Sequence, residues 1–552
     1  MLSVFFQAAF VCGLTWLLWE VVRRYTAKSA LDNLPGPPSP SFLHGNLQQL
    51  YDKQGWEFHR ELGEKYGPVV LLHGKFGVST VLYVFDPMAM HAIAVKEQYI
   101  YDEARWWLRM NHGTFGPGLL GTTGEQHRRQ RKMLNPTFNI NHMREMVPIF
   151  FNVADKLLRA LESRLDAGTS EVDMMSWMNR TALIIGQAGL GHSFDPLVEQ
   201  SADTYGSAVK SFIPALFSLS IYLHFYNYIE GMVPASLRML AAEWVPHRKF
   251  QRLRTIVNTM HEQSVRLYNA RRAALEQGDE ALKRQLGQGK DLMSILLRAN
   301  FAASSEDRLS EEEVIAQIST LTVTATDTTS NALSRTLYTL AQHPEAQVKL
   351  RQELIAAQDG RKDAGLDYDR LTSLPYLDAI CRETLRLYTP APYRFRETRE
   401  DVVLPLSEPA RGLDGTLITE IPLPKDTMVF VGIMSCNTSK AIWGEDAHEW
   451  KPERWLSPLP ESVTKAKIPG VYSNLMTFWG GGRACIGFKF SQLEMKVILS
   501  TLVSRFHFEL TEKPIRWNLA GVVYPTVGTE SHPTLPMKVT RVSERGTATL
   551  QY

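Results

Sequence analysis

The stretch Phe478-Trp479-Gly480-Gly481-Gly482-Arg483-Ala484-Cys485-Ile486-Gly487 carries the most information in this chain, and residues 490–502 follow it with helical spacing. Its glycines do not fit the dinucleotide pattern GxGxxG, because the third position is Cys485. They do not fit a phosphate-binding P-loop either, because Lys489 is displaced by one residue. A single thiolate flanked by glycines at the start of a helix favours a ligand for a flat macrocycle that approaches the backbone closely. The alternative is a buried cysteine in a tight turn.

The other cysteines are Cys12, Cys381 and Cys436. None of the four belongs to a CxxC pair, which argues against a zinc site. An iron–sulfur cluster usually needs four thiolates, and Cys12 falls in a predicted membrane span. Four scattered cysteines also do not form the disulfide framework of a small secreted domain. Cys485 is therefore predicted to act alone.

The stretch has the form FxxGxRxCxG and resembles the haem-binding loop of cytochromes P450. The resemblance implies a mainly α fold with smaller β-sheets (α+β) and haem b as the cofactor. It implies that Cys485 is the axial thiolate of the iron, that Arg483 pairs with a haem propionate, and that Phe478 packs beside the sulfur.

A second match is the ExxR pattern of Glu383 and Arg386. Residues three apart share a helix face, so the two side chains can pair. In the family this pair is buried and is joined by the arginine of a PERF-like segment, which corresponds here to Arg454 in Pro452-Glu453-Arg454-Trp455. Alone, ExxR is a common surface pair, but its position upstream of the cysteine loop supports the resemblance.

The segment Thr324-Ala325-Thr326-Asp327-Thr328-Thr329 resembles the family's (A/G)Gx(D/E)T(T/S) oxygen-activation motif. The resemblance implies that Asp327 relays protons and that Thr328 holds the activated oxygen. Thr324 and Ala325 depart from the pattern, although both are small. Because threonine hydroxyls can bond to backbone carbonyls, the segment is expected to interrupt the long helix predicted over 311–342. The alternative is a polar helix face without a catalytic task.

A fourth match is His127 with Arg131, four residues apart on a predicted helix, where the family commonly has WxxxR. Both are expected to reach a haem propionate, since histidine can still donate a hydrogen bond. Arg396 matches another propionate ligand of the family, with Arg394 and Arg399 close by. The remaining basic residues of the helix are predicted either to dock an acidic electron donor or to form a solvated face. They are Arg128, Arg129 and Lys132.

Residues 2–22 are almost all apolar. At about 1.5 Å per residue they would span roughly 30 Å, the thickness of a bilayer core. Arg23, Arg24 and Lys28 follow, which favours a cytosolic body and argues against a cleaved signal peptide. The predicted organisation is a transmembrane anchor (1–22), a basic and proline-rich hinge (23–40) and a haem-binding catalytic domain (41–552). The expected location is the endoplasmic reticulum membrane, with one span and the catalytic domain in the cytosol.

The 552 residues carry a formal net charge of only +2, which argues against nucleic-acid binding. Residue patterns predict a hairpin over 67–85, helices over 143–165, 252–275 and 311–342, a solvated connection over 275–290 and strands over 402–431. Pocket-lining segments are predicted at 106–120, 212–228 and 390–393.

The resemblance implies a monooxygenase that inserts one oxygen atom of O2 into a lipophilic, terpenoid-like small molecule, in secondary metabolism or detoxification. Electrons would come from NADPH through NADPH-cytochrome P450 reductase, with cytochrome b5 as a second donor. Two alternatives remain open. One is a haem-thiolate isomerase or peroxygenase that needs no reductase, and the other is a membrane-tethered haem or lipid binder without catalysis.

Overall fold

The computed structural model describes residues 29–74, 80–189, 204–219, 243–277, 291–358 and 366–542, together with 11–13, 15 and 19. Most of the predicted anchor, the first part of the hinge and most of the predicted 275–290 connection lie outside the described residues. Within the described part, no helix is both long and apolar enough to cross a bilayer. The division into anchor, hinge and catalytic domain stays a prediction.

Helices make up most of the described chain, which confirms the mainly α, α+β fold class. They are α1 (Leu47–Leu50), α2 (Trp56–Tyr66), α3 (Pro87–His91), α4 (Arg105–Phe115), α5 (Gly124–Leu134), α6 (Ile140–Asp166), α7 (Met174–Gly189), α8 (Thr204–Phe217), α9 (Arg248–Glu276), α10 (Leu292–Ala302), α11 (Glu311–Gln342), α12 (Pro344–Ala357), α13 (Tyr368–Ser373), α14 (Pro375–Leu387), α15 (Ile433–Asn437), α16 (Lys440–Trp443), α17 (Glu461–Ala466) and α18 (Phe488–Arg505).

The strands form small sheets. They are β1 (Val69–His73), β2 (Thr80–Val84), β3 (Tyr101–Glu103), β4 (Glu171–Asp173), β5 (Tyr393–Thr398), β6 (Val402–Arg411), β7 (Leu417–Leu423), β8 (Met428–Gly432), β9 (Phe506–Leu510), β10 (Ile515–Asn518), β11 (Tyr524–Val527) and β12 (Pro536–Arg541). The largest sheet has the order β1-β2-β8-β5-β3, and the smaller ones are β4-β12-β9, β6-β7 and β10-β11. The predicted hairpin over 67–85 is the antiparallel β1–β2 pair.

Helix α11 is buried along most of its 32 residues and packs against α7, α9 and α18. Its start is well specified by sequence, since Ser310 and Glu313 form a reciprocal capping box. Three glutamates in the first turn also stabilise the helix, because their negative charges lie at the positive end of the helix dipole. Helix α18 begins directly after the cysteine loop and packs on α6. These contacts place the cysteine loop and the middle of α11 in the same interior region.

Candidate active site

One interior cavity lies between α11, α5, α8 and the cysteine loop, and it brings together eight predicted site residues. They are His127, Arg131, Asp327, Thr328, Arg396, Phe478, Arg483 and Cys485. The remaining three, Glu383, Arg386 and Arg454, do not line the cavity. The chain thus converges from positions far apart in sequence on a single site.

The cysteine loop is held by its own backbone. The Cys485 amide donates to the Phe478 carbonyl over 2.8 Å, which closes the loop. A Cβ atom on Gly480 would lie 2.2 Å from the Pro469 carbonyl oxygen, and one on Gly481 would lie 1.9 Å from that of Ala94. Gly481 also has a φ of +62°, which favours glycine. The loop therefore requires glycine because other backbone segments lie directly against it.

The Cys485 side chain is accessible because it opens into the cavity, although protein surrounds the site. Burial raises the pKa of this thiol, while the Gly487 amide and the guanidinium groups of Arg394 and Arg131 act in the opposite direction. Cys436 and Cys381 are enclosed in the core. Of the cysteines in the described chain, Cys485 is the one placed to bind a ligand inside the cavity.

Arginine guanidinium groups line the cavity beside the cysteine. Arg396 is 3% exposed, and its Nη1 atom lies 2.6 Å from a Glu103 carboxylate oxygen. Its guanidinium also stacks 4.6 Å from the centre of the Trp479 ring. Arg394 lines the same cavity, and burial lowers its pKa. Sequence reasoning did not assign Arg394 or Glu103 to the site. The alternation of side chains along a strand is a signal for Arg394, which lies two residues before Arg396 on β5. Glu103 reaches the site only because β3 pairs with β5.

Two further arginines complete the rim. Arg131 donates from Nη1 to the Ala484 carbonyl, next to the cysteine. Arg483 donates to the Thr122 carbonyl over 2.8 Å and lies 3.6 Å from the Asp102 carboxylate. Burial lowers the pKa of both guanidinium groups. Four arginines with two nearby carboxylates leave an excess of positive charge around the cavity.

His127 shares this rim but is held neutral. Burial, followed by the charges of Arg483 and Arg131, lowers its pKa to about 3. At neutral pH the imidazole therefore carries one N–H that can donate to an anionic group in the cavity.

Helix α11 runs without interruption through Thr324–Thr329, so the predicted break is wrong. Thr324 and Thr328 each donate a hydroxyl hydrogen bond to the carbonyl four residues earlier, at 2.7 Å. A carbonyl has two lone pairs, so it can accept this bond in addition to the helical one. The hydroxyl groups thus bond along the helix without opening a turn.

Asp327 is 7% exposed, and burial raises the pKa of its carboxyl group to about 7. Asn331 opposes this shift. Its Nδ2 atom donates to the Asp327 carbonyl at 2.7 Å and lies 3.4 Å from the Asp327 carboxylate. A carboxyl group with this pKa can hold a proton at neutral pH and release it. The i, i+4 spacing to Asn331 was visible in the sequence but was not used.

Glu383 and Arg386 form a bidentate pair with both side chains fully buried, at 2.9 and 2.8 Å. Arg454 lies 3.4 Å from Glu383, and the Trp455 indole donates to the same carboxylate at 2.9 Å. Arg386 also donates to three backbone carbonyls, at Asn437, Ala447 and Glu449. The network ties α14 to the segment that leads to the cysteine loop.

The remaining basic side chains of α5 contact carboxylates of this chain. Arg129 lies 2.8 Å from the buried Glu313, and Lys132 lies 2.7 Å from Asp307. Arg128 lies 3.3 Å from Glu125 and is exposed. The interpretation of all three as one solvated face is therefore wrong for Arg129, which anchors α5 to α11. Docking of an acidic electron donor by this helix stays a prediction.

Within the predicted substrate segments, several mostly apolar side chains line the cavity, while 220–228 lies outside the described residues. They are Trp107, Met110, Asn111, Phe115, Leu119, Leu120, Phe212, Ile213, Leu216, Phe217, Pro390 and Ala391. Tyr393 is instead part of the aromatic core behind β5.

The donor set fits haem. The cavity offers one thiol for iron, and the unbalanced arginines together with a neutral histidine suit the two propionates of the porphyrin. Apolar walls suit the flat macrocycle. Cys485 would bind the iron, while His127, Arg131, Arg394, Arg396 and Arg483 would surround the acidic groups.

Comparison with known proteins agrees with this geometry. The family model described as Cytochrome P450 matches residues 35–530. Cytochrome P450 monooxygenase 91 of Postia placenta is 50% identical over 533 residues, which cover 96% of this chain and 98% of that protein. A ganoderic acid synthetase of Ganoderma lucidum is 47% identical over 536 residues, covering 96% and 97%. A P450 monooxygenase of Hericium erinaceus is 36% identical over 543 residues, covering 96% and 97%.

Proposed function

This chain belongs to the cytochrome P450 family and is a monooxygenase of that family, and we propose that it hydroxylates a lipophilic, terpenoid-like molecule at the endoplasmic reticulum membrane. The observation that carries the proposal is one cavity with many apolar side chains in its walls, shared by the thiol of Cys485 and the carboxyl of Asp327.

The overall reaction consumes the substrate, one O2, two electrons and two protons, and it gives a hydroxylated product and water. When bound, haem supplies the redox-active iron that activates O2. We infer that the electrons come from NADPH through NADPH-cytochrome P450 reductase, with cytochrome b5 as a second donor. Iron ligation falls to Cys485, the one thiol at the cavity.

The protein groups on α11 have the proton-handling task. Asp327, with a pKa of about 7, can give up a proton in the cavity and regain one at neutral pH. Thr328 lines the cavity one residue later, and its hydroxyl hydrogen bonds to the Thr324 carbonyl. That bond fixes the direction of the hydroxyl and leaves its lone pairs free to accept a hydrogen bond from a group that carries a proton. We therefore assign proton supply to Asp327. We assign to Thr328 the positioning of the group that carries the proton.

Two observations support the substrate class. The walls of the cavity are rich in leucine and phenylalanine side chains, which suit an apolar molecule. The Ganoderma lucidum relative is named for synthesis of ganoderic acid. The membrane location rests on the apolar run over 2–22 and the basic residues after it.

The test is to replace the cavity cysteine and the two core cysteines with serine in the full chain, as Cys485→Ser, Cys381→Ser and Cys436→Ser. The reduced carbon monoxide difference spectrum of the wild type is expected to show the strongly red-shifted band of thiolate ligation. Cys485→Ser is expected to lose both this band and turnover, while the other two variants keep the band. A band that persists in Cys485→Ser would contradict the ligand assignment.

Turnover of a terpenoid panel with and without NADPH and reductase tests the reaction class. Oxygenated product that depends on both supports the monooxygenase. Product formed equally well without them would indicate the isomerase or peroxygenase instead.

A further inference from the structure

The segment from Gly116 to Gly121 passes directly over the first half of α11. A Cβ atom on Gly118 would lie 2.7 Å from the Thr320 hydroxyl oxygen and 3.0 Å from the Ala316 carbonyl oxygen. Glycine at position 118 therefore lets the backbone lie directly against the helix at Thr320.

Thr320 differs from other threonines of the same helix. The hydroxyls of Thr322, Thr324, Thr326 and Thr328 each donate to the carbonyl four residues earlier. The Thr320 side chain is 2% exposed, and its hydroxyl has no hydrogen-bond partner among the described residues. A buried polar atom without a partner is unfavourable, so a ligand group is expected there.

A second unsatisfied atom lies on the same face of α11. Gln317 is fully buried, and its Oε1 atom accepts from the Leu119 amide at 3.2 Å. Its Nε2 atom has no partner in the part of the chain that the structure describes. Because residues three apart share a helix face, this donor and the Thr320 hydroxyl point to the same region. We define these two side chains as the polar notch.

Thr320 lines the cavity, and many of the side chains that line it with Thr320 are apolar. These side chains include Phe115, Leu119, Leu120, Leu321 and Val323. We propose that the polar notch binds a neutral hydroxyl or carbonyl oxygen on an otherwise lipophilic substrate, with Thr320 in direct contact and Gln317 behind it. The inference rests on the proposed function and specifies which substrates the site selects.

Both notch groups can donate a hydrogen bond, so the chemistry they recognise is an oxygen acceptor. A hydrocarbon of the same shape would leave both donors unpaired and would bind more weakly. The notch also fixes one end of a rigid substrate, which determines the carbon that faces the side of the cavity with Asp327 and Thr328.

The haem-loaded full chain is titrated with three steroids of nearly equal shape, cholestanol, cholestanone and the hydrocarbon cholestane, and binding is followed by the change in the Soret band. The wild type is expected to bind the alcohol and the ketone about threefold to tenfold more tightly than the hydrocarbon, as one added hydrogen bond implies.

Thr320→Val removes the hydroxyl at nearly constant shape and is expected to reduce this preference to less than about twofold. Gly118→Ala places a methyl group against the notch and is expected to weaken the two oxygen-bearing steroids toward the level of the hydrocarbon. Thr322→Val is the matched control, because that hydroxyl is bonded within the helix and does not line the cavity. It is expected to keep the wild-type preference.

Equal binding of all three steroids by the wild type, no binding of the oxygen-bearing pair, or an unchanged preference in Thr320→Val would overturn the notch. The carbon monoxide difference spectrum of each variant separates the two proposals. A normal spectrum without preference refutes only the notch, whereas a wild type without the thiolate band refutes the proposed function.

Discussion

Two groups of interior arginines in this molecule have different surroundings. Arg386 and Arg454 meet the carboxylate of Glu383, and Arg386 also meets three backbone carbonyls. Arg394 and Arg483 line the cavity, and burial lowers the pKa of both guanidinium groups. Glu383 and Asp446 supply one carboxylate for each arginine of the first group. In the second group, Arg483 lies 3.6 Å from Asp102, and the Glu103 carboxylate near Arg394 is already paired with Arg396.

The difference separates structure from ligand binding. A buried ion pair whose hydrogen bonds are complete holds the fold together and has nothing left to offer a ligand. Buried cations without enough carboxylates raise the free energy of the folded protein until an anion binds beside them. The second group is therefore available to pair with the acidic groups of a cofactor.

The largest effect is expected from breaking the buried network of Glu383, Arg386 and Arg454. Arg386→Met should lower the free energy of unfolding by about 3 to 5 kcal/mol, because it leaves the Glu383 carboxylate buried without its main partner. Urea unfolding followed by circular dichroism measures this. A loss below about 1 kcal/mol, typical of an exposed pair, would contradict the burial of the network.

Asp327 tests a buried acid that lacks the partners of Glu383. The pKa of its carboxyl group is about 7 in the folded protein, against an ordinary value of 3.8 for an exposed aspartate. Its contribution to stability is therefore complete below about pH 4 and lost as the pH rises through about 7, with roughly 1.4 kcal/mol for each unit of pKa difference. Asp327→Asn cannot ionise, so wild-type stability should fall relative to the variant between about pH 4 and about pH 7. If urea unfolding shows that the stability of the wild type and that of the variant change in parallel with pH, the raised pKa is contradicted.

The same variant tests proton supply. Asp327→Asn and Thr328→Ala are expected to consume NADPH with little product, because proton delivery is impaired while electron uptake continues. The measured quantity is product formed per NADPH consumed. Wild-type activity should decline as the pH rises above about 7, when Asp327 loses its proton. An unchanged ratio in both variants would remove these residues from the mechanism.

The unsatisfied group should respond differently. Arg394→Met is expected to leave the free energy of unfolding of the haem-free protein unchanged or to raise it slightly. It should weaken haem binding about 10- to 100-fold, the effect of losing one charged hydrogen bond. Haem transfer to apo-myoglobin measures the affinity. Equal losses of stability and haem affinity would show that Arg394 belongs with the structural group.

The smallest effect is expected at the surface of α5. Arg128 is exposed and pairs with Glu125, so Arg128→Ala should change the free energy of unfolding by less than about 0.5 kcal/mol. Arg129→Ala on the same helix removes the partner of the buried Glu313 and should cost more. Equal values for the two variants would contradict the distinction between them.

Patterns within short stretches were predictable from the sequence. Helix α11 has the predicted bounds of 311–342, and Glu383 pairs with Arg386 at the predicted spacing. Both depend on contacts within a few residues, for which helical periodicity is sufficient. The glycines of the cysteine loop are also readable as positions where a ligand or backbone approaches closely.

Contacts between distant segments were not predictable in this way. Glu103 reaches Arg396 because β3 pairs with β5, and this register depends on the whole sheet. Arg129 meets Glu313 because α5 crosses the start of α11. The uninterrupted course of α11 was missed for a different reason, since intrinsic propensity suggested a break where burial and packing maintain the helix.

Glu313 has a mechanical consequence. Its carboxylate caps α11 through the Ser310 amide and also accepts hydrogen bonds from Gln126, Arg129 and Gln130 of α5. These hydrogen bonds to a single carboxylate hold α5 against the start of α11. A rotation of α5, which carries His127 and Arg131, should therefore move the first turn of α11 as well. The positions of these two cavity side chains are in this way coupled to the start of the helix that carries Asp327.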